Sequence, residues 1–542
     1  FDFRIRIEFR LRRAPCVVYA DSTFFYMMTN PAAAIRMLIT YAVSIPLAIL
    51  VGYLLTEPAS YGTLGVIGLV VALVFSPIFI KWHYPIMVFG IGCPATVFFL
   101  VGNPPLWEVV VILSLGIAIV ERAMNSDRRF ISVPGMTWPL LFILGVVLLT
   151  AKLTGGIGLH ALGGGVAGGS IGGGKKYVAL FCGIAMYFAL TSRGIPRAKR
   201  NLYIGLFFLA GTPAFISDLF PLLPSPLNYI NWLFPPTYAT EGDSGFILGT
   251  TRLGAFSTTA NVLFSFMLAR FGLRGIFLGN RLWRLPLFIL FFLLSLLGGF
   301  RITLIGNLAY IGILFFLEGL HRTRLLMIFA FVGILGAALL VPFATKLPYT
   351  FQRSLAFLPL NIDPVARADA DGSVEWRYQM WRDLWPKVPQ YLLLGKGYGL
   401  TVEDYQMIGQ GTFARGGLAE QMDASEGSLA IANDYHSGPF STIISFGIWG
   451  GFGMLWLMVA VVRVTYRNYK YGDPELKTVN TFLFMASAYG VFGFLFIFGA
   501  FQNDVGGFAK AAAFSIALNW GVRGPQREPA TTLKPLPQPQ PA

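Results

Sequence analysis

Long apolar stretches recur from one end of the chain to the other, and most reach the ~18 residues that a helix needs to cross a ~30 Å hydrocarbon core. Helices satisfy their own backbone hydrogen bonds, as a chain surrounded by lipid must, whereas a transmembrane barrel would show short alternating segments. The pattern therefore predicts an all-α, polytopic membrane helical bundle of about fourteen transmembrane helices. The predicted spans are 34–55, 61–80, 84–101, 106–121, 135–151, 177–192, 201–217, 246–269, 286–300, 302–319, 325–342, 437–462, 478–500 and 505–521.

The composition agrees with a chain that faces lipid over most of its surface. Hydrophobic residues make up 55% of the 542 residues, charged residues make up only 12%, and the mean hydropathy is +0.64. A soluble protein of this length needs many more charged residues to cover its surface. These values exclude a soluble globular enzyme.

Basic residues cluster near the ends of alternate predicted spans, as the positive-inside rule requires of cytoplasmic connections. The clusters precede the first span and follow the fourth, sixth, eighth, tenth and twelfth spans, at residues 4–13, 122–129, 193–200, 270–284, 322–324 and 463–477. This arrangement predicts that both termini are cytoplasmic. Anchoring beside anionic headgroups then explains the formal net charge of +15, and nucleic acid is not an expected partner.

The predicted spans divide the chain into five parts. They are a cytoplasmic N-terminal segment at 1–33, a transmembrane bundle of about 11 spans at 34–342, a large periplasmic loop at 343–436, C-terminal transmembrane helices at 437–521, and a disordered cytoplasmic tail at 522–542. The three cysteines form neither a paired zinc motif nor a disulfide framework. The sequence also shows no cluster of His and carboxylate residues, so no metal site is expected.

The large loop at 343–436 is the most informative part of the chain. Its composition changes from apolar to mixed acidic and basic, and a connection of this length is usually functional or disordered. Trp376, Met380, Trp381 and Trp385 recur at helical spacing, which favours an amphipathic helix at the outer membrane interface. The GKGYG segment that follows is a turn permissive of unusual backbone angles.

Three segments here carry a resemblance to a known family. They are EWRYQMW at 375–381, LGKGYG at 394–399, and HSGPF at 436–440 with GIWG at 447–450. In order and spacing they resemble the O-antigen ligase and polymerase superfamily, which combines an Arg on a short periplasmic helix, a Gly-rich turn, and a His followed by Gly-x-x-Gly. The span GGFRITLIGNLAYIGILFF is similar to the family's Ser-Arg-Gly span, with Arg301 at the Arg position and Phe300 in place of Ser.

The resemblance implies a fold similar to other polyprenyl-phosphate-dependent transferases, the GT-C-like arrangement. It also implies a membrane glycosyltransferase that moves a glycan from a polyprenyl-diphosphate carrier to an acceptor hydroxyl at the periplasmic face. The product would be a surface polysaccharide such as O-antigen, capsule or exopolysaccharide. The expected partners are the lipid-linked donor, a glycan, lipid or protein acceptor, and membrane lipids, with no metal or cofactor.

Five residues are the candidates for this chemistry. Arg301 and Arg377 would bind the diphosphate, because a guanidinium stays protonated and grips phosphate oxygens with paired hydrogen bonds. Arg382 is a third diphosphate-binding candidate, but its offset rotates it by about 140° from Arg377 on a helix. His436 would accept the proton of the acceptor hydroxyl, and Asp434 would orient it or share that task.

Other interpretations stay open at this point. Ligase and polymerase share the same Arg and His pattern, and each candidate Arg could instead reach headgroups or pair with a nearby carboxylate. A glycan-lipid flippase is the main alternative, although it should bury charges along a central pathway. A non-catalytic scaffold for polysaccharide export would not need these residues to converge. The glycines at 447–453 are expected to permit close helix packing.

Overall fold

A computed structural model describes residues 61–100, 102–125, 130–154, 173–222, 229–235, 253–398 and 435–525, together with a few isolated positions. Every regular element in these ranges is a helix, which confirms the all-α class of a polytopic membrane protein. The predicted segment 1–33, most of the predicted span 34–55, residues 399–434 of the large loop and the tail beyond 525 lie outside the described residues.

The described helices agree with most of the predicted spans. In chain order they are α1 (Tyr61–Gly90), α2 (Leu106–Met124), α3 (Pro134–Leu153), α4 (Gly173–Leu190), α5 (Arg200–Leu209), α6 (Gly254–Phe277), α7 (Arg284–Leu294), α8 (Arg301–Leu317), α9 (Leu325–Phe343), α10 (Tyr349–Leu355), α11 (Pro364–Leu384), α12 (Gly438–Tyr471), α13 (Lys477–Phe496) and α14 (Phe501–Asn519). Short 3-10 segments at Thr212–Leu222, Ser295–Gly298 and Ala344–Lys346 continue several of these helices.

Seven stretches of the described residues are long and apolar enough to cross a membrane. They include α3, α6, α9, α12 and α13, the second part of α1, and α5 with its following 3-10 segment, while α7 and α8 are shorter apolar helices. The chain is therefore a multi-pass membrane protein. The count of fourteen spans stays a prediction.

One predicted boundary is wrong. The predicted spans 61–80 and 84–101 share the single helix α1, which contains Pro77 and Pro85 and ends at Gly90. The chain then runs through turns, and Thr96 forms an isolated antiparallel bridge with Pro105. A Cβ at Gly90 would lie 2.6 Å from a methyl group of Val110 on α2, so this position has no room for a side chain. An apolar run alone does not reveal where such a close approach ends a helix.

Polar contacts gather several of the basic connections at one end of the bundle. Glu318, after α8, accepts hydrogen bonds from the backbone N–H groups of Leu273 (2.9 Å) and Arg274 (2.8 Å) in the last turns of α6. Arg200 at the start of α5 donates to Asp473 between α12 and α13 at 2.7 Å. The end of the bundle that contains these contacts is called the basic end below. α8 and α12 both run toward it.

Buried amides tie the C-terminal helices together near the basic end. Asn480 of α13 and Asn519 of α14 exchange two hydrogen bonds of 3.1 and 2.9 Å. Asn468 of α12 donates to Ser515 Oγ of α14 at 2.9 Å, and all four residues are buried. Because each buried polar group has a partner, these contacts fix the helix register without leaving unsatisfied amides.

α10 and α11 lie in the described part of the large loop, at the opposite end of the bundle. The Asp363 carboxylate caps α11 by accepting a hydrogen bond of 2.8 Å from the backbone N–H of Val365, and Pro364 occupies the first helical position. α11 ends at Leu384, where Trp385 and Pro386 start a 3-10 turn. The stretch with the recurring Trp residues is therefore helical, as its spacing predicts.

Candidate functional site

One face of α11 is buried and carries a predicted site residue near its middle. Ala366, Ala370 and Met380 are buried, and Arg377 and Trp381 are half-buried. Their spacing places all five within about 100° of one another around the helix axis. Arg377 therefore lies on the inner face of α11. The alanine half of this face, with Ala366 and Ala370, precedes Arg377, and the aromatic half, with Trp381, follows it.

Two arginines hold the alanine half. Arg301, the first residue of α8, donates from Nη2 to the carbonyl oxygen of Ala370 at 2.7 Å. Arg353 of α10 donates from Nε to Asp369 Oδ2 at 2.6 Å and from Nη1 to the carbonyl oxygen of Gly299 at 2.8 Å. These contacts fasten the first half of α11 to the start of α8.

The aromatic half of α11 packs against the start of α12. The indole N–H of Trp381 donates to the carbonyl oxygen of Tyr435 at 2.8 Å, and its ring stacks on Phe440 with centroids 6.3 Å apart. Met380 belongs to the same buried cluster as Tyr435 and Ile444. This packing places α11 directly beside the residue that precedes His436.

Arg301 contacts the same inner face of α11 that carries Arg377. Ala370, which receives the Arg301 hydrogen bond, precedes Arg377 by two helical turns, or about 10.5 Å along the axis and 20° around it. Trp381 follows Arg377 by one further turn and contacts Tyr435. The structure thus brings Arg301, Arg377 and His436 to the same end of the bundle, along one edge of α11.

His436 occupies the turn that leads into α12. Its φ of +49° lies in the left-handed region, which is uncommon for residues other than glycine and is found more often at functional sites. Its ring is half-exposed and lies 4.9 Å from that of Phe498. The turn places His436 at the start of α12, at the end of the bundle away from the basic end.

The remaining predicted site residues lie elsewhere. Arg382 is exposed, unlike the half-buried Arg377, so the two arginines lie in different surroundings on α11. Asp434 lies outside the described residues. The charged groups that act on Arg301 include Arg353, Asp371 and Asp369, so this part of the site mixes cations with carboxylates.

A break in α12 joins the two glycine motifs beside this site. Gly447 has φ of +62° and ψ of −162°, which interrupts the helix and leaves backbone groups without partners in α12. Residues 392–397, which include the start of the GKGYG segment, supply partners for them. Three backbone hydrogen bonds connect the segments: Lys396 N to Ile444 O at 2.8 Å, Gly397 N to Ser445 O at 2.9 Å, and Ile448 N to Leu392 O at 2.7 Å.

These hydrogen bonds between residues 392–397 and 444–448 form a backbone interlock. Glycine is required on both sides of it. A Cβ at Gly395, whose φ is +73°, would collide with the carbonyl oxygen of Ser445, and one at Gly447 would lie 2.6 Å from that of Leu393. Gly447 therefore lets the backbone at 392–393 approach α12 closely, where close packing of helices was expected. At Gly453 the close neighbour is a helix, because a Cβ would meet Ile143 of α3 at 2.8 Å.

Sequence reasoning missed Arg353 and Asp369 as parts of the site. Arg353 is buried at 9% exposure although it lies in a loop rich in charges, and Tyr349 also donates to Asp369 Oδ2 at 2.9 Å. The available signal was an Arg and an Asp in consecutive helices of the loop. No group of three or more His, Cys, Asp or Glu side chains placed to hold a metal ion occurs within the described ranges.

Comparison with known proteins links this geometry to a family. Residues 286–455 match the family model described as O-Antigen ligase. This range contains Arg301, Arg377, His436 and both glycine motifs. No curated protein and no solved structure matches the chain. The match shows that residues 286–455 are similar to the O-antigen ligase family, and it supports a glycosyltransferase-type enzyme.

Proposed function

We propose that this protein transfers a glycan from a polyprenyl-diphosphate carrier to an acceptor hydroxyl at the periplasmic face of the bacterial inner membrane. The observation that carries the proposal is the arrangement along α11. Arg301 bonds to Ala370, Arg377 lies two turns further on the same face, and Trp381 contacts the residue before His436. Two guanidinium groups and one imidazole therefore line one edge of the bundle end.

The arginines suit the donor because a diphosphate at the membrane surface carries its charge close to the headgroup plane. Each guanidinium can donate two parallel hydrogen bonds to phosphate oxygens. As the bond between the anomeric carbon and the phosphate oxygen breaks, its electron pair moves to the diphosphate. Arg301 and Arg377 stabilise the negative charge that develops there, which lowers the barrier to transfer.

His436 suits the acceptor side of the same step. The acceptor oxygen forms the new bond to the anomeric carbon, and its proton passes to the neutral imidazole. Such general-base assistance contributes about 10²- to 10⁴-fold in rate. Cleavage of the sugar–diphosphate bond drives the reaction, so the step consumes no nucleotide. Asp434 stays a proposed partner of His436 in this step.

The distribution of charge supports the periplasmic side. The basic connections lie at the end of the bundle where Arg200 meets Asp473 and Glu318 meets Arg274. Basic connections of membrane proteins are retained in the cytoplasm. Arg301 and His436 lie at the starts of α8 and α12, which end at the basic end. This supports a site open to the periplasm.

A flippase is the alternative, and it would be expected to bury charges along a pathway within the spans. Glu318, near the end of the predicted span 302–319, is one acidic residue that such a pathway could use. Its carboxylate instead accepts two backbone N–H groups after the break at Gly272, whose φ is +62°. Glu318 therefore acts as a helix cap. A scaffold protein, in turn, has no need of the α11 arrangement.

The proposal is tested with full-length protein purified into lipid vesicles that contain a polyprenyl-diphosphate glycan. A polymerase lengthens the polyprenyl-linked glycan when the donor is the only glycan present. A ligase leaves it unchanged until a separate lipid or glycan acceptor is added, and then joins the two. Intact donor in the presence of donor and acceptor together would refute the proposal.

A further inference from the structure

An apolar groove lies on α12 far from the candidate site. It has a volume of about 390 Å³ and is lined by Leu455, Val459 and Val462 of α12 and by Val491 of α13. Arg463 and Tyr466 complete the lining at one end. Leu455 and Val459 are 54% and 46% exposed, so the groove opens on the outer surface of the bundle. It is therefore accessible to lipid.

The length of α12 places this groove at the inner leaflet. The part of α12 that follows the break at Gly447 extends about 36 Å, which is enough to cross the ~30 Å hydrocarbon core. Measured from this break at the site end, Leu455 lies about 12 Å along the helix and Arg463 about 24 Å. Leu455 is thus within the core, and Arg463 is at the level of the opposite headgroups.

Positive charges continue from the groove along the same face of the helix. Arg463, Tyr466, Arg467 and Lys470 are all exposed, and Arg463 with Arg467 and Tyr466 with Lys470 form two pairs spaced four residues apart, which places all four on one face. Within the part of the chain that the structure describes, Arg463 and Arg467 form no ion pair. Lys470 lies 5.9 Å from the ring centroid of Tyr466. The basic stripe 463–470 is therefore open to an anion.

We infer that this groove binds an anionic phospholipid of the inner leaflet, with an acyl chain along the apolar part and the phosphate on the basic stripe 463–470. The combination of an apolar wall and exposed cations at headgroup depth matches both halves of such a lipid. A zwitterionic lipid offers the same chains but no net charge. The groove lies at the opposite end of α12 from the diphosphate candidates, so the polyprenyl donor is not its occupant.

The test is native mass spectrometry of the full-length protein after incubation with equimolar phosphatidylglycerol and phosphatidylcholine of identical chains. Wild-type protein is expected to retain phosphatidylglycerol in preference. Because each cation near the membrane surface contributes about fivefold, the double variant Arg463→Gln/Arg467→Gln should lose about 25-fold of that preference. Arg322→Gln/Arg324→Gln is the matched control, since both are exposed near the basic end, and it should keep the preference.

A second variant tests the apolar part alone. Val459→Trp fills the groove, keeps every charge, and should reduce retention of long-chain phosphatidylglycerol. Equal retention of both lipids by wild-type protein would overturn the inference, as would equal losses in the two double variants. Unchanged retention by Val459→Trp would show that the charges act without the groove. Displacement of phosphatidylglycerol by a polyprenyl phosphate would assign the groove to the donor instead.

Discussion

The indole N–H of Trp381 donates a hydrogen bond of 2.8 Å to the carbonyl oxygen of Tyr435. This contact links α11 to the turn that contains His436, across residues that are far apart in the chain. Arg377 lies one helical turn before Trp381 on the same face, so the bond sets the spacing between the candidate diphosphate-binding and proton-accepting groups.

Trp381→Phe keeps an aromatic ring against Phe440 and removes this hydrogen bond. We expect the transfer rate to fall about 10- to 100-fold, because small displacements of reacting groups have effects of this size. The protein should still fold and insert. Trp385→Phe is the matched control, since Trp385 is 70% exposed and is one turn further along. Equal rates for the two variants would show that the Trp381 contact does not position the site.

The backbone interlock makes a prediction about glycine. Gly395→Ala and Gly447→Ala place a Cβ against a backbone carbonyl in a left-handed conformation, so each should lower stability by more than about 2 kcal/mol. Gly451→Ala is the control because nothing lies within 4 Å of its added Cβ. The measurement is the thermal unfolding midpoint in detergent. If all three variants unfold at the same temperature, the interlock contributes nothing to stability.

Arg353 and Asp369 are predicted to hold α11 against the start of α8. Asp369→Asn leaves the Arg353 guanidinium buried without its carboxylate, at a cost of about 3 kcal/mol in stability. Asp371→Asn, two residues further on, changes an exposed carboxylate and should leave the unfolding midpoint nearly unchanged. Identical behaviour of the two variants would remove Arg353 from the site.

The ion pair between Arg200 and Asp473 predicts that the stability of the fold depends on pH. The hydrogen bond from Arg200 lowers the pKa of Asp473 below its ordinary value near 3.9. The pair therefore stabilises the fold above about pH 4, and this contribution disappears as the pH falls through the lowered pKa. Asp473→Asn should unfold at a lower temperature than wild type at pH 7, and the difference should vanish in acid.

The control for this pair is Glu475→Gln, because Glu475 is 77% exposed and lies 3.4 Å from Arg200. It should unfold near the wild-type temperature throughout the pH range. A difference between Asp473→Asn and wild type that persists unchanged down to pH 2 would contradict the assignment of the pKa shift.

Hydrophobic runs were sufficient to predict most of the helices. α9, with its uninterrupted apolar sequence, lies within one residue of the prediction 325–342. α1 was divided wrongly, because prolines at 77 and 85 are accommodated inside the helix and the chain turns only at Gly90. Proline and glycine mark candidate boundaries, but neighbouring helices decide which of them ends an element.

The site was harder to predict because its contacts join distant residues. Arg301, Arg377 and His436 were predicted through their order and residue type, and all three lie at one end of the bundle. The role of Gly447 depends on backbone groups at 392–397, about 50 positions earlier. Arg353 depends on Asp369 and on Gly299, which precedes it by 54 residues. Local patterns carry no information about such pairings.

Arg377 and His436 are proposed to act together on a lipid-linked donor. The most direct measurement is the rate of polyprenyl-diphosphate release by vesicle-reconstituted protein supplied with donor and acceptor. His436→Ala should reduce this rate by about 10²- to 10⁴-fold, and Arg377→Ala should also reduce it strongly. Arg382→Ala, which changes an exposed arginine of the same helix, should retain activity. His436→Ala and Arg377→Ala proteins that insert normally and turn over at the wild-type rate would contradict the account.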